Sequence, residues 1–124
     1  MTAIRTLLLM SLVWVSSAFG ADVAGKWTAS IDTQIGAQAY TFEFKVEGDK
    51  LTGTAKSELA GATTAIAEGK VTGDDITFVE NLTFMDMPLR IVYKGKISGD
   101  QIKFTRNVAD IANEDFVAKR VRRD

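Results

Sequence analysis

The sequence predicts an all-β domain, an eight-stranded antiparallel up-and-down meander closed into a barrel. Three observations lead there. Apolar and polar residues alternate with period two along most of the chain, and no segment carries a helical stripe. A Gly-Asp pair recurs between alternating runs, in "EGDKLTGT" from Glu47, "TGDDITFV" from Thr72 and "SGDQIKFT" from Ser98. Antiparallel neighbours with one apolar face close most simply into a barrel, which removes exposed sheet edges.

Strands are expected at 25–32, 39–47, 50–59, 63–72, 75–84, 89–98, 101–109 and 115–122. In "AYTFEFKV", Tyr40, Phe42, Phe44 and Val46 share one face and Thr41, Glu43 and Lys45 the other. "ELAGATTAIAEG" has helix-friendly alanines, but its glycines, its threonine pair and its place between strands favour strand or turn. The single proline, Pro88, is assigned to a loop.

Gly-Asp is a two-residue hairpin signal, because glycine takes positive φ without steric cost and aspartate tolerates it. Placing each pair at a turn sets Val46 against Leu51, Val71 against Ile76 and Ile97 against Ile102. One step on, Phe44 faces Gly53, Gly69 faces Phe78 and Gly95 faces Phe104. A ring covering a strand glycine is a register device. Loops over 60–62 and 85–88 would then pair Leu59 with Thr63, Ser57 with Ala65, Ala55 with Ala67, Phe84 with Leu89, Leu82 with Ile91 and Glu80 with Tyr93. The Gly-Asp turns fall at one end of the barrel, and the loops at 33–38, 60–62, 85–88 and 110–114 at the other.

Residues 1–20 read as a secretory signal peptide: Arg5, the apolar run "LLLMSLVWV", and small residues Ala18 and Gly20 before a cut at Ala21. The apolar run is shorter than the ~20 residues of a membrane span, and no cysteine follows to carry a lipid. The expectation is therefore a periplasmic or secreted monomer, with residues 21–124 forming one barrel domain and no membrane anchor after cleavage.

The chain carries 15 basic and 16 acidic side chains; loss of Arg5 leaves 14 basic and a net charge of −2. That balance argues against nucleic acid as the partner. With no histidine and no cysteine, a structural zinc site, a Ser-His-Asp triad and a cysteine nucleophile are excluded. Asp49, Asp74 and Asp100 supply too few oxygens per loop for calcium. No metal and no cofactor is expected.

Counting inward from the tight turns, the third row of the barrel would hold Phe42, Ala55, Ala67, Glu80, Tyr93 and Arg106, and the next row Tyr40, Ser57 and Ala65. The small residues would leave space beside one carboxylate, one phenol and one guanidinium, a composition suited to a pocket. The first reading is an exported binder of a small, partly apolar ligand, contacted by Phe42, Glu80, Tyr93, Arg106, Ala55, Ala67, Tyr40 and Ser57, with Arg106 pairing an anionic group. Two alternatives stand beside it. One is a barrel enzyme of isomerase or cyclase type using Glu80 and Tyr93. The other is a protein-interaction module with a filled barrel that acts through its open-end loops, where "FMDMPL" places Met85 and Met87. In that case Glu80, Tyr93 and Arg106 would be a self-satisfied network.

"GKW" at Gly25–Trp27, with arginine at 120 or 122 on the last strand, resembles the calycin superfamily of lipocalins and avidins. The resemblance implies that Trp27 packs under Arg120 or Arg122 at the closed end. The chain is shorter than lipocalins and lacks their disulfides and other motifs. "LTGT", "IAEGKVTGDDITF", "YKGKISGDQIKFTR" and "FVAKRV" also look like a small secreted bacterial β-domain found alone or attached to exported proteins. That likeness implies fold and export and transfers no functional residue.

Overall fold

The structure, a computed structural model, describes residues 23–58 and 61–122, apart from the side chain of Phe84. The segment read as a signal peptide lies outside the described residues. The strands are β1 Gly25–Thr33, β2 Gly36–Glu47, β3 Lys50–Ser57, β4 Ala62–Ala65, β5 Ala67–Thr72, β6 Asp75–Phe84, β7 Met87–Ser98, β8 Gln101–Val108 and β9 Ala112–Arg120. All pairings are antiparallel, in the order β2-β1-β9-β8-β7-β6-β5-β3-β4, and a β2–β3 ladder closes the sheet. Both β4 and β5 lie against β3, so together they form one broken stave of an eight-stranded barrel.

At the closed end, Gly48, Gly73 and Gly99 adopt φ of 63°, 59° and 61°, as the first position of a mirror-image hairpin turn requires. The aspartates contribute backbone as well as turn shape. The carbonyl oxygens of Asp49, Asp74 and Asp100 accept the N–H groups of Val71, Ile97 and Arg120 at 2.8, 2.9 and 2.9 Å. Each Gly-Asp turn is thereby tied to the stave that follows its hairpin.

The expected aliphatic pairs Val46–Leu51, Val71–Ile76 and Ile97–Ile102 all stand opposite one another. Of the three glycine–phenylalanine pairs, Gly95–Phe104 has a ring over the glycine: a Cβ at Gly95 would lie 2.5 Å from that ring. Gly53 does face Phe44, but its φ of 144° answers a backbone approach, the Glu43 carbonyl oxygen standing 1.8 Å from where a Cβ would be. Gly69 faces Leu51 rather than Phe78 in the ladders, because the β5–β6 register shifts between Ala67 and Lys70. Gly95→Ala should therefore destabilise the protein by about 2 kcal/mol through overpacking. Urea denaturation measures it, and a loss under about 0.5 kcal/mol would show that Phe104 swings aside freely.

Three expectations are corrected. The stave predicted at 63–72 is split at Ile66, and Ser57 pairs with Ala62 instead of Ala65. This odd shift turns Ala65 out to solvent. A bulge with Glu68 at φ 54° adds one residue and restores the inward phase at Val71. Ile66 packs against the core where Ala65 was expected to leave room. Second, the β6–β7 turn is two residues, Met85 and Asp86, so Glu80 stands opposite Ile91 and Leu82 opposite Leu89. Pro88 then belongs to β7, where the β7–β8 ladder begins only at Ile91 and no amide donor is needed on that side. Third, β9 starts at Ala112 and draws Glu114 into the sheet.

The barrel is filled by its own side chains. Phe42 is fully buried, and six aromatic rings, those of Tyr40, Phe44, Phe78, Tyr93, Phe104 and Phe116, have centroids within 6.3 Å of its own. Trp27 and Ile31 on β1 and Ile76, Ile91 and Ile102 on other staves complete the core.

Candidate functional site

The polar residues of the interior come together because the ladders set them side by side. Arg106 on β8 stands between Tyr93 on β7 and Glu114 on β9. Glu80 approaches from β6, two residues beyond Phe78, which faces Tyr93. The Tyr93 hydroxyl donates to Glu80 Oε1 at 2.7 Å and accepts from Arg106 Nη1 at 3.0 Å. Arg106 Nε donates to Glu114 Oε1 at 2.6 Å. The guanidinium also lies 5.3 Å from the centre of the Tyr40 ring.

The ion pair is thus Arg106 with Glu114, a residue outside the Glu80, Tyr93 and Arg106 network read from the sequence; Glu80 is hydrogen-bonded to that network through the phenol. Glu114 was missed because "ANED" reads as a polar loop. Its signal was present: Ala112, Glu114, Phe116, Ala118 and Arg120 continue the period-two row. Among the described residues no buried side-chain nitrogen or oxygen lacks a partner.

Burial raises the pKa of Glu80 above the ordinary carboxylate value, opposed in part by the Tyr93 hydrogen bond and the charge of Arg106. Burial, then the neighbouring Glu80, pushes the Tyr93 phenol well above its usual value, and Tyr40 is raised for the same two reasons. The Glu80 shift has a sign for stability. A carboxyl whose folded pKa exceeds its unfolded one favours the fold fully below the unfolded pKa, and that contribution is lost as pH rises through the folded pKa. Glu80→Gln keeps an acceptor for Tyr93 and cannot ionise. Its stability relative to the parent protein should grow as pH rises from about 4 to about 8, read by denaturation at each pH. Parallel curves would refute a burial penalty on this carboxylate.

The structure brings Phe42, Glu80, Tyr93, Arg106, Ala55, Tyr40 and Ser57 together inside the barrel, all buried. Ala67 is only half-buried and sits opposite Val79 beside the bulge. Two surface depressions both lie on the outer wall, one bordered by Val92, Lys94, Thr105, Asn107 and Asn113, the other by Lys26, Thr41, Thr54 and Lys56 among others. Outside the barrel, Arg90 reaches across β6 to bind Glu68 bidentately at 2.7 and 3.0 Å.

At the closed end the Arg120 guanidinium lies 4.3 Å from the centre of the Trp27 ring, a cation–π contact, and Trp27 Nε1 donates to the Val23 carbonyl at 2.9 Å. Arg120 also binds Asp100 at 3.0 Å, and Arg122 binds the other oxygen of that carboxylate. Asp100 is therefore occupied as an anchor for the last strand. Among the described residues no cluster of three or more potential ligands could hold a metal ion.

Comparison with protein-family models, with curated proteins and with solved structures gives no match. The reading of function rests on the chain's own geometry.

Proposed function

We propose that the protein is an exported, non-enzymatic interaction module, whose filled, calycin-like barrel is a rigid support for contacts made at its open end. One observation carries the reading. Ile35 is 69% exposed, Met85 81%, Met87 62% and Ile111 77%, and all four lie in or beside turns of the open end. Single exposed apolar residues are ordinary, but four from three turns at one end are not scattered. The closed-end turns are Gly-Asp, so the fold itself does not demand apolar tips.

Turn chemistry supports the same view. Met85 and Asp86 take φ of 51° and 65°, positions that favour Asn-Gly. A side chain there costs roughly 1 kcal/mol of backbone strain. Retaining a pliable methionine in that conformation fits contact better than turn stability. Met85→Asn combined with Asp86→Gly should raise stability by about 1 kcal/mol in thermal unfolding while weakening partner capture.

The direct test immobilises the protein and the variant Ile35→Ser/Met85→Ser/Ile111→Ser in parallel, with extract from the source's periplasm or medium. A co-purifying protein should be retained by the first and lost by the second at equal melting temperature. Equal retention by both would overturn the assignment of the open end.

A second reading has its own support. Glu80, Tyr93, Arg106 and Glu114 converge beneath Tyr40 and Ser57, a group that would suit a small, partly apolar ligand with an anionic group. Native mass spectrometry of protein from its source tests it: a retained small molecule, bound over tenfold more weakly by Arg106→Ala, would favour this reading.

A further inference from the structure

We infer that the open end receives a basic polypeptide, one that presents large apolar side chains among lysines and arginines. The inference rests on the interaction reading above and names the partner's chemistry. The apolar tips are ringed by acid. Asp32 precedes the β1–β2 turn, Glu58 follows β3, Asp86 forms half of the β6–β7 turn and Asp110 lies in the β8–β9 turn, all four exposed. The exposed cations nearest these turns along the chain are Lys56 and Arg90, and Arg90 is bound bidentately by Glu68. This end therefore carries an excess of negative charge around an apolar centre. A basic rim with an apolar centre is its complement, which speeds encounter and excludes acidic partners.

Two other occupants fit less well. An anionic membrane surface would meet the acidic rim with like charge. A second copy could offer the lysines near its closed end, where Lys50 stands beside Lys70 and Lys96 beside Lys103, although Lys96 also pairs with Asp75. Among the described residues that end has polar Gly-Asp turns and, against Ile35, Met85, Met87 and Ile111, only the less exposed Val121 beside them. A head-to-tail contact would also propagate into a filament unless its rotation closed a ring.

The test uses two synthetic amphipathic helices with the same leucine face, one with lysines and one with glutamates on the polar face. Binding is followed by fluorescence anisotropy and by the methyl resonances of Ile35, Met85, Met87 and Ile111. The lysine peptide should bind and shift those methyls, the glutamate peptide should not, and affinity should fall at least tenfold between about 50 and 500 mM salt. Asp86→Asn with Asp110→Asn, which keep a residue that tolerates positive φ at both sites, should weaken the lysine peptide at least threefold while leaving the melting temperature unchanged. Equal binding of both peptides at these methyls would overturn the basic partner and leave the open end as an interface. If neither peptide moves these methyls, both ideas fall. Concentration-dependent oligomers, or anionic vesicles, that shift the same methyls in place of the lysine peptide would also overturn the proposal.

Discussion

Phe42→Ala is expected to lower the unfolding free energy by about 4 kcal/mol, as large a loss as a single core truncation gives. Phe42 is fully buried, and its ring is stacked on Tyr40, Phe44 and Phe116 and edge-on to Phe78 and Tyr93. Deleting it removes both the transfer free energy of the ring and the contacts of its neighbours. These neighbours sit on a closed ladder and cannot collapse far into the space. For a domain of this size the melting temperature should fall by more than about 15 °C. Phe42→Leu should lose under about 1.5 kcal/mol, since most of the volume remains. Denaturant titrations with unchanged slope would attribute the difference to the native state. A loss below about 1 kcal/mol for Phe42→Ala would mean that the interior is not packed on this ring, and would reopen the hollow-barrel reading. The same variant has a second use. An apolar void of that kind stays dry and takes up benzene or xenon. Binding of benzene by Phe42→Ala alone would show that one aromatic side chain separates a filled barrel from a ligand-holding one.

The sequence was legible where local chemistry and period agreed. The three Gly-Asp turns, their aliphatic partners and the Tyr93–Arg106 neighbourhood follow from a turn signal plus strict alternation. Alternation also placed Glu80 on the inner face, and the two-residue error in the β6–β7 turn left that face unchanged because two steps restore the same side. The turn itself was misread because Met-Asp is not a usual turn pair; both residues sit at positive φ, which Asp86 tolerates but nothing about Met85 announces. The stave from Ala62 to Thr72 failed for another reason. A bulge is one extra residue, and in an Ala/Thr-rich run nothing marks which residue is extra. That error mattered for function, because it supplied the space beside Ala55 and Ala67 on which a pocket was read. Glu114 was lost to a boundary: a polar first half of β9 looks like loop until Arg106 is known to face it. The loops at 33–38, 85–88 and 110–114 already put Ile35, Met85, Met87 and Ile111 at one end; that all four side chains stand out from the core there is what the structure adds.

Arg106→Met should cost about 3 kcal/mol, the low end for breaking a buried ion pair. The guanidinium serves two acceptors: Nε binds Glu114 at 2.6 Å and Nη1 binds the Tyr93 hydroxyl at 3.0 Å. Removing it strands a carboxylate that is only slightly exposed and takes a charge away from Glu80, whose pKa burial already raises. Replacing both partners should behave otherwise. Arg106→Met with Glu114→Leu removes both members of the pair, and apolar replacement of a buried pair is often neutral or stabilising. The double variant should recover to within about 1 kcal/mol of the parent protein, and the cycle should return a coupling of at least about 2 kcal/mol between the two sites. Adding Glu80→Gln should remove the remaining charge and flatten the dependence of stability on pH above about 4, because Glu80 is the carboxyl whose folded pKa is raised among the described residues. This triple variant separates the two functional readings. If the network only supports the fold, the triple variant keeps partner binding at the open end and loses nothing else. If the network holds a ligand, it folds, keeps the open-end contacts and no longer retains the small molecule. A triple variant that stays folded but loses open-end binding would tie the interior to the loops and sink the view of the barrel as a passive support.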